Sequence, residues 1–455
     1  MSSSPSGYGS QALALKYLEV KFEHWKICEW AIKSIQAYKD IHFTDDNIDY
    51  SKDLSTEKIK DYLFNKGISS NYNEPMSMEQ INRLNEKQNR TIYNNIQATH
   101  NLVNIQQVKG QDLEIIDTDK YDYILTYSFP CQDLSLAGKG KGMSDTTTRS
   151  GLLWEVERIL TECKELGSLP QILLMENVPQ IHNEQNTNDF NTWQLRLEEL
   201  GYKNYWQDLI ATDYGIPQTR NRCFMISILG DYNYTFPKPI PLKLKLKDML
   251  EENVDEKYFL SDKMLDYCFE VNQKESDFPR GERFLQSLSQ TNDKNIATTI
   301  TTNAGNKPTD NFVKIKNATK KGYLEATEGD GIDISGRMEY HRGTVQKDKA
   351  QTLTTQCDRG VVVEPKIIDD RDVNLNGVNI TNICPTQRAS RNGLKVLQSD
   401  LRIRKLTPKE CFRLMGVKDE DFEKVRKNQS DSSLYHLAGD SIVVNVLMAI
   451  FKGML

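Results

Sequence analysis

Two short apolar runs, each closed by a compact polar cluster, limit what this chain can fold into. Tyr123-Ile124-Leu125-Thr126-Tyr127 leads into Ser128-Phe129-Pro130-Cys131-Gln132, and Ile172-Leu173-Leu174-Met175 leads into Glu176-Asn177-Val178. Short apolar runs of this kind suit strands buried on both faces. Parallel strands deliver the residues that follow them to the carboxyl edge of the sheet, where open α/β folds keep their chemistry. The expected fold class is therefore α/β, with a cysteine at one strand end and a glutamate at another. Those residue types suggest a thiolate nucleophile facing a proton-handling carboxylate.

The flanking sequence extends the pattern. Gly7-Tyr8-Gly9-Ser10 precedes helical spacing at Ala12, Leu13, Leu15 and Leu18. Trp25-Lys26-Ile27-Cys28 reads as a strand ending at Glu29-Trp30, and Ile32, Ile35 and Tyr38 mark a second helix, so a βαβ series begins here. Residues 44–100, rich in Asn, Lys and Glu, read as a helical insertion. Gly138-Lys139-Gly140-Lys141-Gly142 is too glycine-rich for a helix and is expected as a mobile loop beside Cys131. Three prolines between Phe236 and Pro241 mark a boundary. Beyond it, Thr-rich stretches such as Ala297–Thr302 and Ala350–Thr355 are β-prone, with most threonines expected on a solvent face. Thr407-Pro408-Lys409-Glu410 carries the cap, proline and first-turn acid of a helix start. Gly439-Asp440-Ser441 then precedes an apolar helix, Ile442–Leu447, expected to pack back on the first domain. The expected domains are residues 1–236, 237–403 and a returning segment, 404–455.

Composition narrows the function. With 38% hydrophobic and 27% charged residues the chain is globular. The cysteines at 28, 131, 163, 223, 268, 357, 384 and 411 lack zinc-site spacing, so no metal is expected. Neither an apolar stretch of ~18 residues nor a charged-then-apolar leader is evident, which suggests a cytoplasmic protein with no membrane contact. The net charge of −6 argues against indiscriminate nucleic-acid binding by the whole surface. Between Ile380 and Lys427, however, 12 Lys/Arg face 6 Asp/Glu, a local +6 that suits either a phosphate-binding face or a solvated helix surface.

Taken in order, Gly7-x-Gly9, Glu29-Trp30, Asp112, Pro130-Cys131-Gln132, Glu176-Asn177-Val178, Gln218-x-Arg220-x-Arg222, Arg404-x-Leu406-Thr407-x-x-Glu410-Cys411 and Gly439-Asp440-Ser441 span nearly the whole chain. In this order and spacing the chain resembles the C5-cytosine DNA methyltransferase family. The resemblance implies a Rossmann-like S-adenosylmethionine-dependent methyltransferase sheet and a second, mixed-β target-recognition domain, with double-stranded DNA held in the cleft between. It implies that Cys131 adds to C6 of a cytosine flipped from the duplex, that Glu176 serves N3, and that Arg222 holds O2. Arg220 would orient the site and favour the thiolate. For the cofactor, S-adenosyl-L-methionine, it implies Gly7 and Gly9 for close backbone approach, Glu29 for the ribose, and Trp30 and Asp112 for the adenine. Pro130, Gln132, Leu152, Asp440 and Ser441 would line the same pocket. Glu29 as a helix cap and Trp30 as plain core remain open readings. The expected setting is bacterial or phage restriction–modification, with a monomeric enzyme in the nucleoid and any cognate restriction endonuclease acting separately.

The chain departs from the family pattern in two places. The family's first strand runs apolar into Phe-x-Gly-x-Gly, whereas only Ser2-Ser3-Ser4-Pro5-Ser6 precedes Gly7, so this strand reads as missing and an adenine-stacking aromatic with it. A misplaced start, an altered sequence and a natural loss all fit, and weak cofactor binding is the expected result. Asp440 also stands where the family has Asn. Three rivals follow: a DNA-binding paralogue without turnover, an RNA cytosine methyltransferase, and a cysteine hydrolase. The large region between Arg222 and Arg404 argues for duplex DNA over RNA. A hydrolase lacks a strand-end histidine, since His182 falls in a polar loop.

Overall fold

The computed structural model describes residues 2–3, 7–129, 152–259, 296–297, 299–300, 312–316, 331–333, 345–346, 359–361, 367–369, 379–381, 394–395 and 401–454. The chain divides into two compact units. One comprises Met1–Glu252, Asn272–Asn311 and Leu406–Leu455; the other comprises Asn253–Val271 and Phe312–Lys405. The boundary expected at 236 thus falls at 252, and 272–311 joins the first unit. The proline run does not end that unit because it docks on it. Tyr214 Oη donates to the Pro237 carbonyl at 2.9 Å, and Ile240 N–H to the Asp213 carbonyl at 2.9 Å.

The first unit is built on six strands: β1 (Ser2–Ser3), β2 (Ile27–Cys28), β3 (Ile124–Ser128), β4 (Ile172–Asn177), β5 (Tyr202–Ile210) and β6 (Asn221–Leu229). Their order across the sheet is β2-β1-β3-β4-β6-β5. β1 runs parallel to β2 and β3, β3 parallel to β4, and β6 antiparallel to both β4 and β5. The first strand, expected to be missing, is therefore present and central, with Ser2 opposite both Ile27 and Thr126. Ladder pairing uses only backbone N–H and C=O groups, so two serines suffice to fill the position.

The helices are α1 (Ser10–Tyr17), α2 (Ile32–His42), α3 (Thr56–Lys66), α4 (Met78–Asn82), α5 (Glu86–Ala98), α6 (Leu152–Glu165), α7 (Thr187–Leu200), α8 (Pro408–Leu414), α9 (Asp419–Arg426), α10 (Asp431–Asp440) and α11 (Val444–Lys452). Leu125, Tyr127, Leu173 and Met175 from the sheet bury against Leu153, Leu160, Phe190 and Trp193 of α6 and α7. The alternation of strand residues puts their partners on the opposite face. The insertion has its own core, in which Ile59, Leu63, Ile81, Ile92 and Ile96 of α3, α4 and α5 meet Ile35 of α2.

The chain's end returns to this unit. Thr407 and Glu410 form a reciprocal capping box at the start of α8. Lys16 Nζ lies 2.7 Å from Asp421 Oδ1, and Tyr17 Oη donates to Asp421 Oδ2 at 2.8 Å. The stretch Asp431–Lys452 is apolar enough to resemble a membrane span, but 72% of its 18-residue apolar window is buried within the fold, as in a core helix pair. In the second unit, the described strands pair antiparallel, as between Phe312–Lys316 and Leu401–Lys405.

Candidate active site

Parallel pairing sets Ser128 opposite Glu176, so the residues after β3 and β4 leave the sheet side by side. Asn177 Nδ2 donates to the Phe129 carbonyl at 3.1 Å, while its Oδ1 accepts from Val178 N–H at 2.8 Å. The backbone two residues ahead of Cys131 is thereby tied to the residue after Glu176. Pro130, Cys131, Gln132 and the 138–142 loop lie outside the described residues.

Glu176 is only 8% exposed. Antiparallel pairing puts it opposite Phe224 on β6, and Arg222, two residues before Phe224, shares its face. Arg222 Nε lies 3.0 Å from Glu176 Oε1. Arg220 is buried, donating from Nη1 to the Ile300 carbonyl at 3.2 Å and from Nη2 to the Gly439 carbonyl at 3.0 Å. Burial, and then the charge of Arg222, push its pKa down to about 9 against the pull of Glu176 and Asp440. Its guanidinium thus ties the Ile300 and Gly439 carbonyls to the amino-terminal end of β6. Gln218 completes the clamp: Nε2 donates to the Leu414 carbonyl at 2.6 Å and Oε1 accepts from Ile300 N–H at 2.8 Å. Ala297, expected in the second domain, bridges to Gln218 here.

Next to the Gly439 carbonyl that Arg220 holds, Gly7 and Gly9 both have left-handed backbones, with φ of 54° and 80°. A Cβ on Gly7 would strike Ser441 Oγ, and one on Gly9 would lie 2.5 Å from Tyr38 Cε2. Ser441 Oγ donates to the Leu437 carbonyl at 2.7 Å. Glu29 follows β2 and is 1% exposed. Its Oε1 accepts from Ala31 N–H at 2.8 Å, directly before α2, whose N-cap is Ala31 and which has no side-chain cap. Asn101 brackets Glu29, accepting from its N–H at 3.0 Å and donating to its carbonyl at 2.9 Å. Val103, β-branched and buried, has φ of 71°, a strained backbone on the same strand-end edge. Trp30 packs partly against the insertion's core, Leu152 opens α6, and Asp440 Oδ2 lies 3.1 Å from His436 Nδ1.

Asp112 is not brought to this edge. Its carboxylate accepts from Lys109 N–H at 2.9 Å within a single turn. The next residue, Leu113, accepts from Trp25 Nε1 at 2.8 Å, ahead of β2 and therefore at the opposite end of the strand from Glu29. Asn101–Val103 stand beside Glu29 instead, because the segment runs parallel to β2 from the bridge between Ile27 and Asn101. Sequence reasoning gave no role to Asn101, Asn177 or Gln218. The Asn in Glu-Asn-Val and the Gln in Gln-x-Arg-x-Arg were the available signals.

Two further groups have other partners. His182 Nε2 lies 3.0 Å from Asp208 Oδ1, with Cys223 in the same cluster. Cys223 alternates with Arg222 along β6, so the cluster occupies the sheet face away from Glu176. In the basic stretch, Lys409 pairs with Glu423 at 3.0 Å, Arg413 with Asp419 at 2.6 Å, and Lys424 with Asp421 at 3.1 Å. These pairs favour the solvated-surface reading for α8 and α9.

A mostly parallel sheet with an antiparallel β6–β5 edge, and with Glu29 after β2 and Glu176 and Asn177 at the end of β4, has the α/β architecture of S-adenosylmethionine-dependent methyltransferases. The profile of the C-5 cytosine-specific DNA methylases matches residues 79–455, and the chain belongs to that family. It is 30% identical over 453 residues to the type II methyltransferase M2.ScrFI of Lactococcus lactis subsp. cremoris, covering 98% of this chain and 96% of that one. It is 38% identical over 262 residues to the orphan methyltransferase M.SssI of Spiroplasma monobiae, covering 56% of this chain and 66% of the relative. In fold it is similar to a Spodoptera frugiperda DNMT2 mutant (TM-score 0.55, 16% identity, 99% and 98% coverage) and to the Entamoeba histolytica methyltransferase EhMeth (0.53, 13%, 100% and 96%). These relatives do not favour the hydrolase, RNA-enzyme or inactive-paralogue readings.

Proposed function

We propose that this member of the C5-cytosine DNA methylases uses Cys131 as its nucleophile and S-adenosyl-L-methionine as its methyl donor. The observation that carries the reading is the pair of tied strand ends: Asn177 fixes the Phe129 carbonyl two residues before Cys131, with the Glu176–Arg222 pair one residue away. A thiolate is soft enough to add to C6 of a pyrimidine near neutral pH, and neighbouring cations favour it. The Cys131 sulfur bonds to C6 while Glu176 handles the proton at N3 and Arg222 holds O2, which leaves C5 electron-rich. C5 then takes the methyl group, its own proton leaves to a base, and the sulfur–C6 bond breaks to restore thiolate and aromatic ring.

The chain's residues fit the cofactor. A buried carboxylate after β2 suits a ribose diol, and the Gly7–Gly9 turn keeps side chains out of a close approach. When bound, S-adenosylmethionine supplies an electrophilic methyl group. Glu29, Asp440 and Ser441 bind and orient, and Arg220 holds the Gly439 carbonyl next to that pair. The second unit is the candidate target-recognition domain, reading base edges in the major groove. The setting we propose is a cytoplasmic, monomeric restriction–modification or self-protection enzyme, any cognate endonuclease acting separately.

The test is methyl transfer from labelled S-adenosylmethionine to mixed-sequence duplex DNA, followed by bisulfite sequencing. Methylated cytosines in one context are expected. Cys131→Ser should abolish label transfer and keep DNA affinity. Loss of both in a folded variant would make Cys131 structural and sink the assignment.

A further inference from the structure

The insertion reaches the cofactor edge. Its loop is laced to the residues after Glu29, with Ser69 N–H donating to the Trp30 carbonyl at 2.8 Å and Ile32 N–H to the Ser69 carbonyl at 2.9 Å. Three residues later Tyr72 has a left-handed backbone, φ 62°. Its ring stacks on His436 of α10, with centroids 3.9 Å apart and planes 16° from parallel. His436 in turn lies 3.1 Å from Asp440. The Tyr72 hydroxyl is buried beside Ser34 of α2, within electrostatic reach of both Glu29 and Asp440.

A left-handed tyrosine costs on the order of 1–3 kcal/mol and persists only where its surroundings hold it, which is common at ligand clamps. The hold here is specific: a backbone bridge on one side and a flat imidazole on the other. The ring is therefore linked through the Ser69–Trp30 bridge to the residue after Glu29 and through His436 to Asp440, the two acids assigned to the cofactor.

We propose that Tyr72, backed by His436, is a further cofactor-binding residue, an aromatic wall for the adenosine of S-adenosylmethionine contributed by the helical insertion. The inference rests on reading the Glu29 edge as the cofactor site. An aromatic face accepts a purine by stacking, and His436 fixes the plane of that face.

The test is calorimetric binding of S-adenosylhomocysteine to the full chain without DNA. Tyr72→Ala and Tyr72→Leu are expected to weaken binding roughly tenfold, as loss of one stacked base contact does. Tyr72→Phe should keep the wild-type affinity, and Tyr72→Trp should keep it while gaining ligand-dependent quenching. Melting of each unliganded variant establishes that it is folded. Glu29→Ala separates the two readings. If it leaves affinity unchanged, the site reading fails and the inference with it. If it weakens binding while Tyr72→Ala and Tyr72→Leu bind normally or more tightly, only the inference is overturned.

Discussion

The Asn177 amide and the Phe129 carbonyl, 3.1 Å apart, join the ends of two adjacent parallel strands. The bond transmits the position of β4, which carries Glu176, to the backbone leading into Cys131. A buried hydrogen bond of this kind is worth about 1–3 kcal/mol when one partner is removed. Asn177→Ala should therefore lower kcat by roughly 10–100-fold while cofactor affinity stays near wild type. An unchanged kcat in the folded variant would mean that the strand ends hold their positions without the tie.

The Glu176–Arg222 pair is partly buried on both sides, at 11% and 19% side-chain exposure. Removing a group that moves a proton in the transition state commonly costs about 10²–10⁴ in rate. If Glu176 acts as proposed, Glu176→Gln should reduce kcat by at least about a hundredfold, because the amide cannot exchange a proton at N3. Arg222→Lys should also lower kcat, since an ammonium lacks the planar fork. Single-turnover kinetics on saturating duplex would check both, and wild-type rates for either variant would remove that residue from the chemistry.

Acid should destabilise the glycine-turn side of the molecule. Burial lowers the pKa of His42 to about 3 and of His24 to about 4, and the two rings lie 4.9 Å apart. His42 Nε2 is 2.9 Å from the Tyr8 carbonyl, within the Gly7–Gly9 turn. Between those values and the ordinary histidine pKa of about 6.5 the unfolded chain binds more protons than the folded one. Stability is therefore full above pH ~6.5 and falls as the pH drops towards 4. Thermal unfolding across that range should show the decline, and the double variant His24→Gln, His42→Gln should flatten it. An equally steep decline in the double variant would assign the acid sensitivity to other groups.

Gly9→Ala should be among the most damaging single-methyl changes in the unit. The backbone at φ 80° disfavours any side chain, and the added carbon would lie 2.5 Å from a ring atom of Tyr38. Strain of about 1–3 kcal/mol should lower Tm by several degrees and weaken S-adenosylmethionine binding. A neutral result in both assays would mean that Tyr38 moves aside at no cost.

The strand ends were legible because their chemistry is local: an apolar run followed by Pro-Cys or Glu-Asn. So were the helical insertion and the Thr407–Glu410 cap, each written in adjacent residues. What lay beyond reach depended on pairing between distant segments. Ser2 and Ser3 carry no strand signal, since their place is set by open ladder positions on β2 and β3. The family resemblance implied Asp112 for the adenine, but the turn it caps faces the other end of the sheet. The proline run at 236–241 looked like an exit from the domain, yet its carbonyls and amides bond back to it. Ala297 and Ile300 gave no sign of holding Gln218, because nothing in a Thr-rich stretch names its partner.

The contact of Lys16 and Tyr17 with Asp421 closes a span of more than 400 residues. A ribosome adding roughly 5–20 residues per second separates the two ends of that contact by some tens of seconds. Throughout that interval the first helix waits without its partner and the glycine turn without Ser441. The nascent chain therefore cannot complete the packing around the glycine turn until Ser441 has been made. Chains terminated before Asp421 should lack the pairing that holds the first helix in place.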